Sequence, residues 1–172
     1  TISKRSAGLI RFVKEFRNLT QIPKPKLAEV PIKELLEALA LLHKKELSDH
    51  SITVIINVKP ENLFILADKT LIEQVLINLI KNAIQAFDEQ TGKRIELTAF
   101  SNEKGRAIIS VKDNGAGIDA DALEKIFIPF FSTKKTGSGI GLSLSKQIMR
   151  QHEGNITVKS TLGEGTEFLL RF

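Results

Sequence analysis

The sequence has no cysteine, tryptophan or tyrosine, and only three histidines among its 172 residues. Without thiols, it can form neither disulfides nor thiolate metal sites. His43, His50 and His152 lie too far apart for a zinc-binding spacing, so any metal is expected to be a hard cation bound by oxygen atoms. Phenylalanine is the only aromatic residue, which disfavours a base-stacking surface for single-stranded nucleic acid.

Long apolar runs are also missing. No stretch approaches the roughly 20 residues of a membrane-spanning helix, and no signal peptide opens the chain. The chain begins at Thr1 rather than at methionine, so we expect a piece of a longer protein or a processed chain. We expect a domain on the cytoplasmic side, within a full-length protein that a membrane segment elsewhere could anchor.

The net charge of +5 is confined to one end of the chain. Residues 1–35 carry eight basic and three acidic side chains, whereas residues 36–172 carry equal numbers of each. This distribution favours a solvated basic helix over a footprint for the phosphate backbone of nucleic acid. We therefore expect no nucleic-acid partner.

Hydrophobic spacing predicts an amphipathic helix over 3–20, which must pack on another surface to be stable. Pro23 and Pro25 then interrupt the pattern and indicate a linker, which divides the chain into 1–26 and 27–172. The remaining patterns predict helices at 31–48, 69–88 and 140–152, and strands at 52–58, 63–66, 95–100, 107–111, 156–159 and 167–171. We expect an α+β sandwich with a mixed, mostly antiparallel sheet covered on one face by helices.

The helix predicted at 69–88 has one polar face. At 100° per residue, Gln74, Asn78, Asn82 and Gln85 lie together, opposite an apolar side. Asparagine is a weak helix former, so the pair at 78 and 82 calls for a reason besides helix stability. Amide oxygens can bind Mg²⁺ without adding charge that would repel a polyphosphate.

A strand runs directly into Asp113-Asn114-Gly115-Ala116-Gly117-Ile118. Asn-Gly alone predicts only a tight turn. The second glycine, Gly117, is not needed for that turn, and closely spaced glycines let backbone approach a flat ligand. A carboxylate at the end of the strand can accept a hydrogen bond from an exocyclic amine.

Three glycines at alternate positions, Gly137, Gly139 and Gly141, open the helix at 140–152. Free N–H groups at such a helix start form an anion site. A P-loop is excluded because no Gly-Lys-Ser/Thr follows. Lys134 can supply charge to terminal phosphates, whereas Lys135 is as well explained as a solvated loop lysine.

These segments, in this order, resemble four motifs of one family. Asn78 and Asn82 resemble an N box, 113–118 a G1 box, 127–131 an F box and 137–142 a G2 box. Together they are similar to the catalytic ATP-binding domain of sensor histidine kinases, within the gyrase, chaperone, kinase and mismatch-repair ATPase superfamily. The resemblance covers about 27–172. The helix at 3–20 resembles the second helix of the dimerisation and phosphotransfer domain.

The resemblance implies a Bergerat-type fold that binds Mg-ATP and donates its γ-phosphoryl group to a histidine. It implies that Asn82 binds Mg²⁺, that Asp113 accepts from the adenine amino group, and that 119–136 form a mobile lid. Asn78, Asn82 and Lys134 would act by positioning and charge. The implied ATP-binding residues are Asn78, Asn82, Gln85, Asp113, Gly115, Gly117, Ile118, Thr133, Lys134, Gly137, Ser138, Gly139, Ile140, Gly141, Leu142 and Thr166.

The sequence departs from the family pattern at two points. Gln85 stands where many members have a basic residue, so a phosphate contact is weakened there and Lys134 is expected to offset it. None of the three histidines lies in the family's phosphoacceptor motif, so we place the acceptor on a helix outside this chain. The partners implied are the parent's own phosphotransfer domain, as a homodimer, and the receiver domain of a response regulator.

Two other functions stay open at this stage. The first is an ATP-hydrolysing relative of gyrase or the chaperones, which tend to have glutamate at the position of Asn78 to activate water. An asparagine cannot take that proton, and Glu73 lies roughly 140° around the helix from it. The second is a nucleotide-binding module that acts as a conformational switch without kinase activity.

Overall fold

The structure, a computed structural model, describes residues 2–135 and 137–172. Its helices are α1 (Ile2–Thr20), α2 (Ile32–Leu42), α3 (Lys44–Asp49), α4 (Lys69–Gln85), α5 (Ala120–Leu123) and α6 (Gly141–Gln151). Its strands are β1 (Ala28–Pro31), β2 (Thr53–Lys59), β3 (Phe64–Ala67), β4 (Arg94–Ser101), β5 (Ala107–Asp113), β6 (Asn155–Thr161) and β7 (Gly165–Arg171).

The main sheet contains five strands in the order β2-β4-β5-β7-β6. β2 pairs with β4 in parallel, and the other three pairings are antiparallel. Buried and more exposed side chains alternate along β4, and the buried ones define the inner face of the sheet. Ile95, Leu97 and Ala99 are buried, whereas Glu96 and Thr98 point to the other side. The predicted mixed, mostly antiparallel sheet is confirmed.

Helices α2, α4 and α6 pack together over the inner face of this sheet. The apolar side of α4 provides much of the core, since Leu76, Leu79, Ile80 and Ala83 are all buried. Burying a side chain of this size stabilises the fold by about 1.5–3 kcal/mol. The predicted sandwich is confirmed, and the polar side of α4 is left to face a cavity.

The single helix predicted over 31–48 is wrong in two places. Val30 is buried and pairs with Ile65 in a two-stranded sheet, so 28–31 is a strand and the helix begins at Ile32. The helix then breaks at His43, whose Nδ1 bonds to Leu39 O at 2.8 Å and competes with the backbone pattern. The segment therefore forms β1, α2 and α3.

Helix α1 is present as predicted, and it packs against the rest of the chain at its C-terminal part. Leu19 is buried, and α1 contacts α6. Leu9 and Val13, from the same apolar stripe, are exposed. Among the residues that the structure describes, no helix combines the length and the apolar content that crossing a membrane requires.

Candidate functional site

A cavity of about 690 Å³ lies between the polar face of α4, the end of β5, the start of α6 and the loop that joins β5 to α6. Its volume is in the range of small-molecule and cofactor sites. The sequence-predicted residues that line it are Asn78, Asn82, Gln85, Asp113, Gly117, Ile118, Thr133, Lys134, Gly137, Ser138, Gly139, Ile140, Gly141, Leu142 and Thr166. Residues up to 88 positions apart in sequence thus meet around one space.

Helix α4 presents its amides to the cavity because its other side is committed to the core. Its first turn is fixed by Asp68, whose carboxylate accepts a hydrogen bond from the Leu71 N–H at 3.3 Å. From that start, Gln74, Asn78, Asn82 and Gln85 all line the cavity. The polar face predicted from helical spacing is confirmed as a single wall.

Lys134 reaches across the cavity to this wall. Its Nζ donates to Gln85 Oε1 at 2.7 Å and to Asn82 Oδ1 at 3.4 Å. Burial lowers the pKa of the Lys134 ammonium, and the charge of Asp113 partly opposes that shift. The lid lysine and Gln85 therefore form a direct pair, at the position where the family pattern has a basic residue.

Asp113 closes the other end of the cavity. It is the last residue of β5 and only 5% exposed, and its Oδ1 accepts from the Gly115 N–H at 2.9 Å. Burial raises the pKa of this carboxyl, while the backbone N–H groups of Gly115 and Thr166 and the charge of Lys134 act in the opposite direction. The group is a buried acceptor held in one orientation.

The two glycines of the 113–118 turn have different surroundings. Gly117 lines the cavity with φ of +74°, and a Cβ there would meet Thr161 O at 2.2 Å. Gly115 is not among the described residues that line the cavity. A Cβ on Gly115 would meet Ala86 O at 2.6 Å, and that carbonyl accepts from Ala116 N–H at the end of α4. Gly115 instead allows the turn to approach α4.

The glycine-rich segment 137–141 forms a third side of the cavity. Gly139 has φ of +71°, and a Cβ there would meet the Phe130 carbonyl carbon at 2.5 Å. Helix α6 begins directly after Ile140, whose apolar side chain makes no capping hydrogen bond to the first N–H groups of the helix. Uncapped N–H groups at a helix start, together with the helix dipole, attract anions.

Helix α1 also reaches the cavity, which the sequence analysis did not predict. Arg11, Glu15 and Asn18 line it. The ring of Phe12, the residue after Arg11, stacks on Phe130 of the lid, with 5.2 Å between ring centroids. No local pattern in the sequence signals these contacts, because they depend on how α1 packs against distant residues.

Each of the three histidines ends a helix. His43 is buried, and the Nδ1 atoms of all three lie 2.8 Å from the carbonyl oxygen four residues earlier. His152 Nε2 also accepts from the Asp68 N–H at 3.0 Å, so its Nδ1 carries the proton. These contacts agree with the expectation of packing or surface histidines.

The amide oxygens at this site are of the chemical type that binds a hard divalent cation. Asn82 Oδ1 already accepts from a cationic group, the Lys134 ammonium. Within residues 2–135 and 137–172, no three acidic or histidine side chains group closely enough to hold a metal. An ion here would therefore rely on amide oxygens and on the phosphates of a ligand.

A buried carboxylate at one end and a helix opened by glycines at the other are features typical of a nucleotide-binding site. The family model described as "Histidine kinase-, DNA gyrase B-, and HSP90-like ATPase" matches residues 67–172. The chain belongs to this family, which confirms the resemblance drawn from the four motifs.

Individual relatives point to the same branch of the family. The chain is 44% identical over 104 residues to the signal transduction histidine-protein kinase AtoS of Escherichia coli K12, a match that covers 60% of this chain and 17% of AtoS. The structure of full-length ShkA in complex with AMPPNP has a TM-score of 0.83 and 28% identity, covering 98% of this chain and 36% of ShkA. The structure of histidine kinase ThkA in complex with the response regulator TrrA has a TM-score of 0.80 and 29% identity. The match covers 99% of this chain and 48% of the ThkA chain.

Proposed function

We propose that this chain binds Mg-ATP in the cavity and donates the γ-phosphoryl group to a histidine on a phosphotransfer domain of the same sensor kinase. The parent protein would act as a homodimer and pass the phosphoryl group to the receiver domain of a response regulator. In this assignment residues 1–26 are the end of the phosphotransfer domain with its linker, and 27–172 are the catalytic domain. With ATP as the substrate, the domain would lie on the cytoplasmic side of any membrane that holds the parent.

The observation that carries this proposal is the arrangement of the cavity's two ends. The buried Asp113 carboxylate suits the exocyclic amine of adenine, with Gly117 leaving room for a flat base. The first N–H groups of α6 suit phosphate oxygens. Asn78 and Asn82 lie on the wall between these two ends.

The chain's own residues would act by positioning and charge. Phosphoryl transfer to a histidine requires in-line alignment of the attacking imidazole nitrogen and the leaving oxygen of ADP, and little covalent chemistry from this domain. Asn82 would hold Mg²⁺, which when bound neutralises charge on the phosphates. Lys134 would leave Asn82 and turn its ammonium toward the terminal phosphate, in place of the basic residue replaced by Gln85.

Hydrolysis of ATP is the less favoured alternative. Asn78 occupies the place where the hydrolysing relatives tend to have a general base, and an amide cannot accept the proton of water. Glu73 is not among the described residues that line the cavity. Its Oε1 instead lies 3.8 Å from Lys69 Nζ. The site therefore favours transfer of the phosphoryl group to an acceptor on another domain over its transfer to water.

The test is incubation with γ-labelled ATP, with and without a separately supplied protein that contains the histidine-bearing helix pair. We expect a label on the added protein that is acid-labile and base-stable, formed slowly because tethering is lost. We expect no label on this chain alone, since its histidines cap helices. A label on this chain that disappears when His43, His50 or His152 is replaced would contradict the proposal.

A further inference from the structure

Ser145 lies in α6 one turn after Gly141, where that helix faces α4. It is 2% exposed, and its Oγ is 2.8 Å from Gly141 O and 3.3 Å from Asn78 Nδ2. It is therefore a buried hydroxyl between the start of α6 and the polar wall of the cavity. The sequence motifs gave no role to this residue.

The hydrogen bonds of Ser145 fix the direction of the Asn78 amide. A serine hydroxyl has a single proton. In α6 that proton is donated to the carbonyl of Gly141, four residues earlier, as buried helical serines commonly do. Toward Asn78 the oxygen can then only accept, so the Asn78 NH₂ group must face Ser145 and its Oδ1 must face away.

Gly141 makes room for this orientation. A Cβ at Gly141 would lie 2.2 Å from Asn78 Oδ1, so the amide occupies the space that a side chain at 141 would take. Within residues 2–135 and 137–172, no group donates a hydrogen bond to Asn78 Oδ1. The carbonyl oxygen therefore lies against Gly141, the first residue of α6, and both residues line the cavity.

We propose that Ser145 is a positioning residue that holds the Asn78 amide with its oxygen, rather than its NH₂ group, available to the cation that accompanies the nucleotide. This inference rests on the proposed function, in which Asn78 lies close to the metal and the phosphates. An amide in the opposite orientation would present N–H donors, which repel a cation. Ser145 also lines the cavity, but the role assigned to it is exerted through its hydrogen bond to the Asn78 amide.

The experiment compares Ser145→Ala with Ser143→Ala by calorimetric titration of ATP, in Mg²⁺ and in a chelator. Ser143 is a matched control, because it is also buried in α6 and donates to Ile140 O at 2.9 Å, whereas the Asn78 amide is hydrogen-bonded to Ser145. We expect Ser145→Ala to weaken ATP binding in Mg²⁺ by about fivefold, the loss of one hydrogen bond, and to leave binding in chelator unchanged. Ser143→Ala should change neither value.

A second readout keeps the test valid if Ser145→Ala alters folding. In the wild-type chain, the NMR signals of the Asn78 NH₂ group should show slow exchange and respond to Ser145→Ala but not to Ser143→Ala. Ser145→Thr retains the hydroxyl, so it should retain the magnesium dependence. A wild-type magnesium dependence in Ser145→Ala, or an unchanged Asn78 signal, would overturn the inference. If the wild-type chain itself binds ATP without regard to Mg²⁺, the proposed function fails instead.

Discussion

Lys134 Nζ donates a hydrogen bond to Gln85 Oε1 at 2.7 Å, joining the lid to the last turn of α4. The same ammonium lies 3.4 Å from Asn82 Oδ1. Lys134 thus contacts two amides of the α4 wall, and its charge also acts on the Asp113 carboxyl.

Lys134→Met should weaken ATP binding more than ADP binding, because the ammonium is assigned to the terminal phosphate. A hydrogen bond to a charged group contributes about 1.5–3 kcal/mol, so a loss of about tenfold or more is expected for ATP. Calorimetry on the two nucleotides measures the difference. Lys135→Met is the matched control, since Lys135 is exposed, and equal losses for ATP and ADP would contradict the assignment of Lys134.

Replacing Asp113 should affect all adenine nucleotides alike. Asp113→Ala removes a buried acceptor at the base end of the cavity, at a cost of about 1–3 kcal/mol, so ATP and ADP should both bind about ten- to a hundredfold more weakly. Asp121→Ala removes an exposed carboxylate of α5 that does not line the cavity, and should leave binding unchanged. Unaltered ADP affinity in Asp113→Ala would show that adenine binds elsewhere.

The raised pKa of Asp113 makes binding and stability respond to pH in opposite directions. Burial raises this pKa above its ordinary value of 3.8, so the free protein is destabilised as pH rises from the unfolded to the folded pKa. Nucleotide affinity should instead fall as pH drops through the same pKa, because a protonated carboxyl is the weaker acceptor.

Chemical denaturation of the wild-type chain and of Asp113→Asn across this pH range isolates the contribution of Asp113. The difference between their free energies of unfolding should shift in favour of Asp113→Asn as pH rises through the window. Other carboxyl groups, such as Asp68, whose pKa is lowered chiefly by the Lys26 N–H, contribute equally to both proteins. A constant difference would mean that Asp113 titrates normally.

The sequence predicted the elements whose pattern is local. The helical spacing of α4 and the β-branched runs of the main sheet were sufficient, because each element's buried face is set by its own residues. All but one of the residues that the resemblance assigned to ATP binding line the cavity. Gly115 is the exception, because its role depends on the distance between its turn and the Ala86 carbonyl.

Features that depend on distant packing could not be predicted. Strand β1 has only four residues, one of them buried, and it exists because it pairs with β3 about 36 positions later. Arg11 and Asn18 reach the cavity only because α1 packs beside α6. The Ser145–Asn78 hydrogen bond joins residues 67 positions apart, so neither residue's neighbours reveal it.

The aromatic contact between α1 and the lid should contribute to stability. Phe130 has φ of +69° and stacks on Phe12, with Phe16 also nearby at 6.4 Å between centroids. A double-mutant cycle of Phe12→Ala and Phe130→Ala should give a coupling of about 0.5–1.5 kcal/mol. The same cycle with exposed Leu9 in place of Phe12 should give none, and equal values in both cycles would argue against a specific stack.

Magnesium-dependent binding of ATP is the property that the proposed function requires most directly. Isothermal titration of the wild-type chain with ATP, in Mg²⁺ and in a chelator, measures it. We predict tighter binding in Mg²⁺, loss of that difference in Asn82→Ala, and its retention in Glu73→Gln, a change on the same helix outside the cavity. No heat of binding for ATP, or an equal magnesium dependence in Asn82→Ala, would contradict the account.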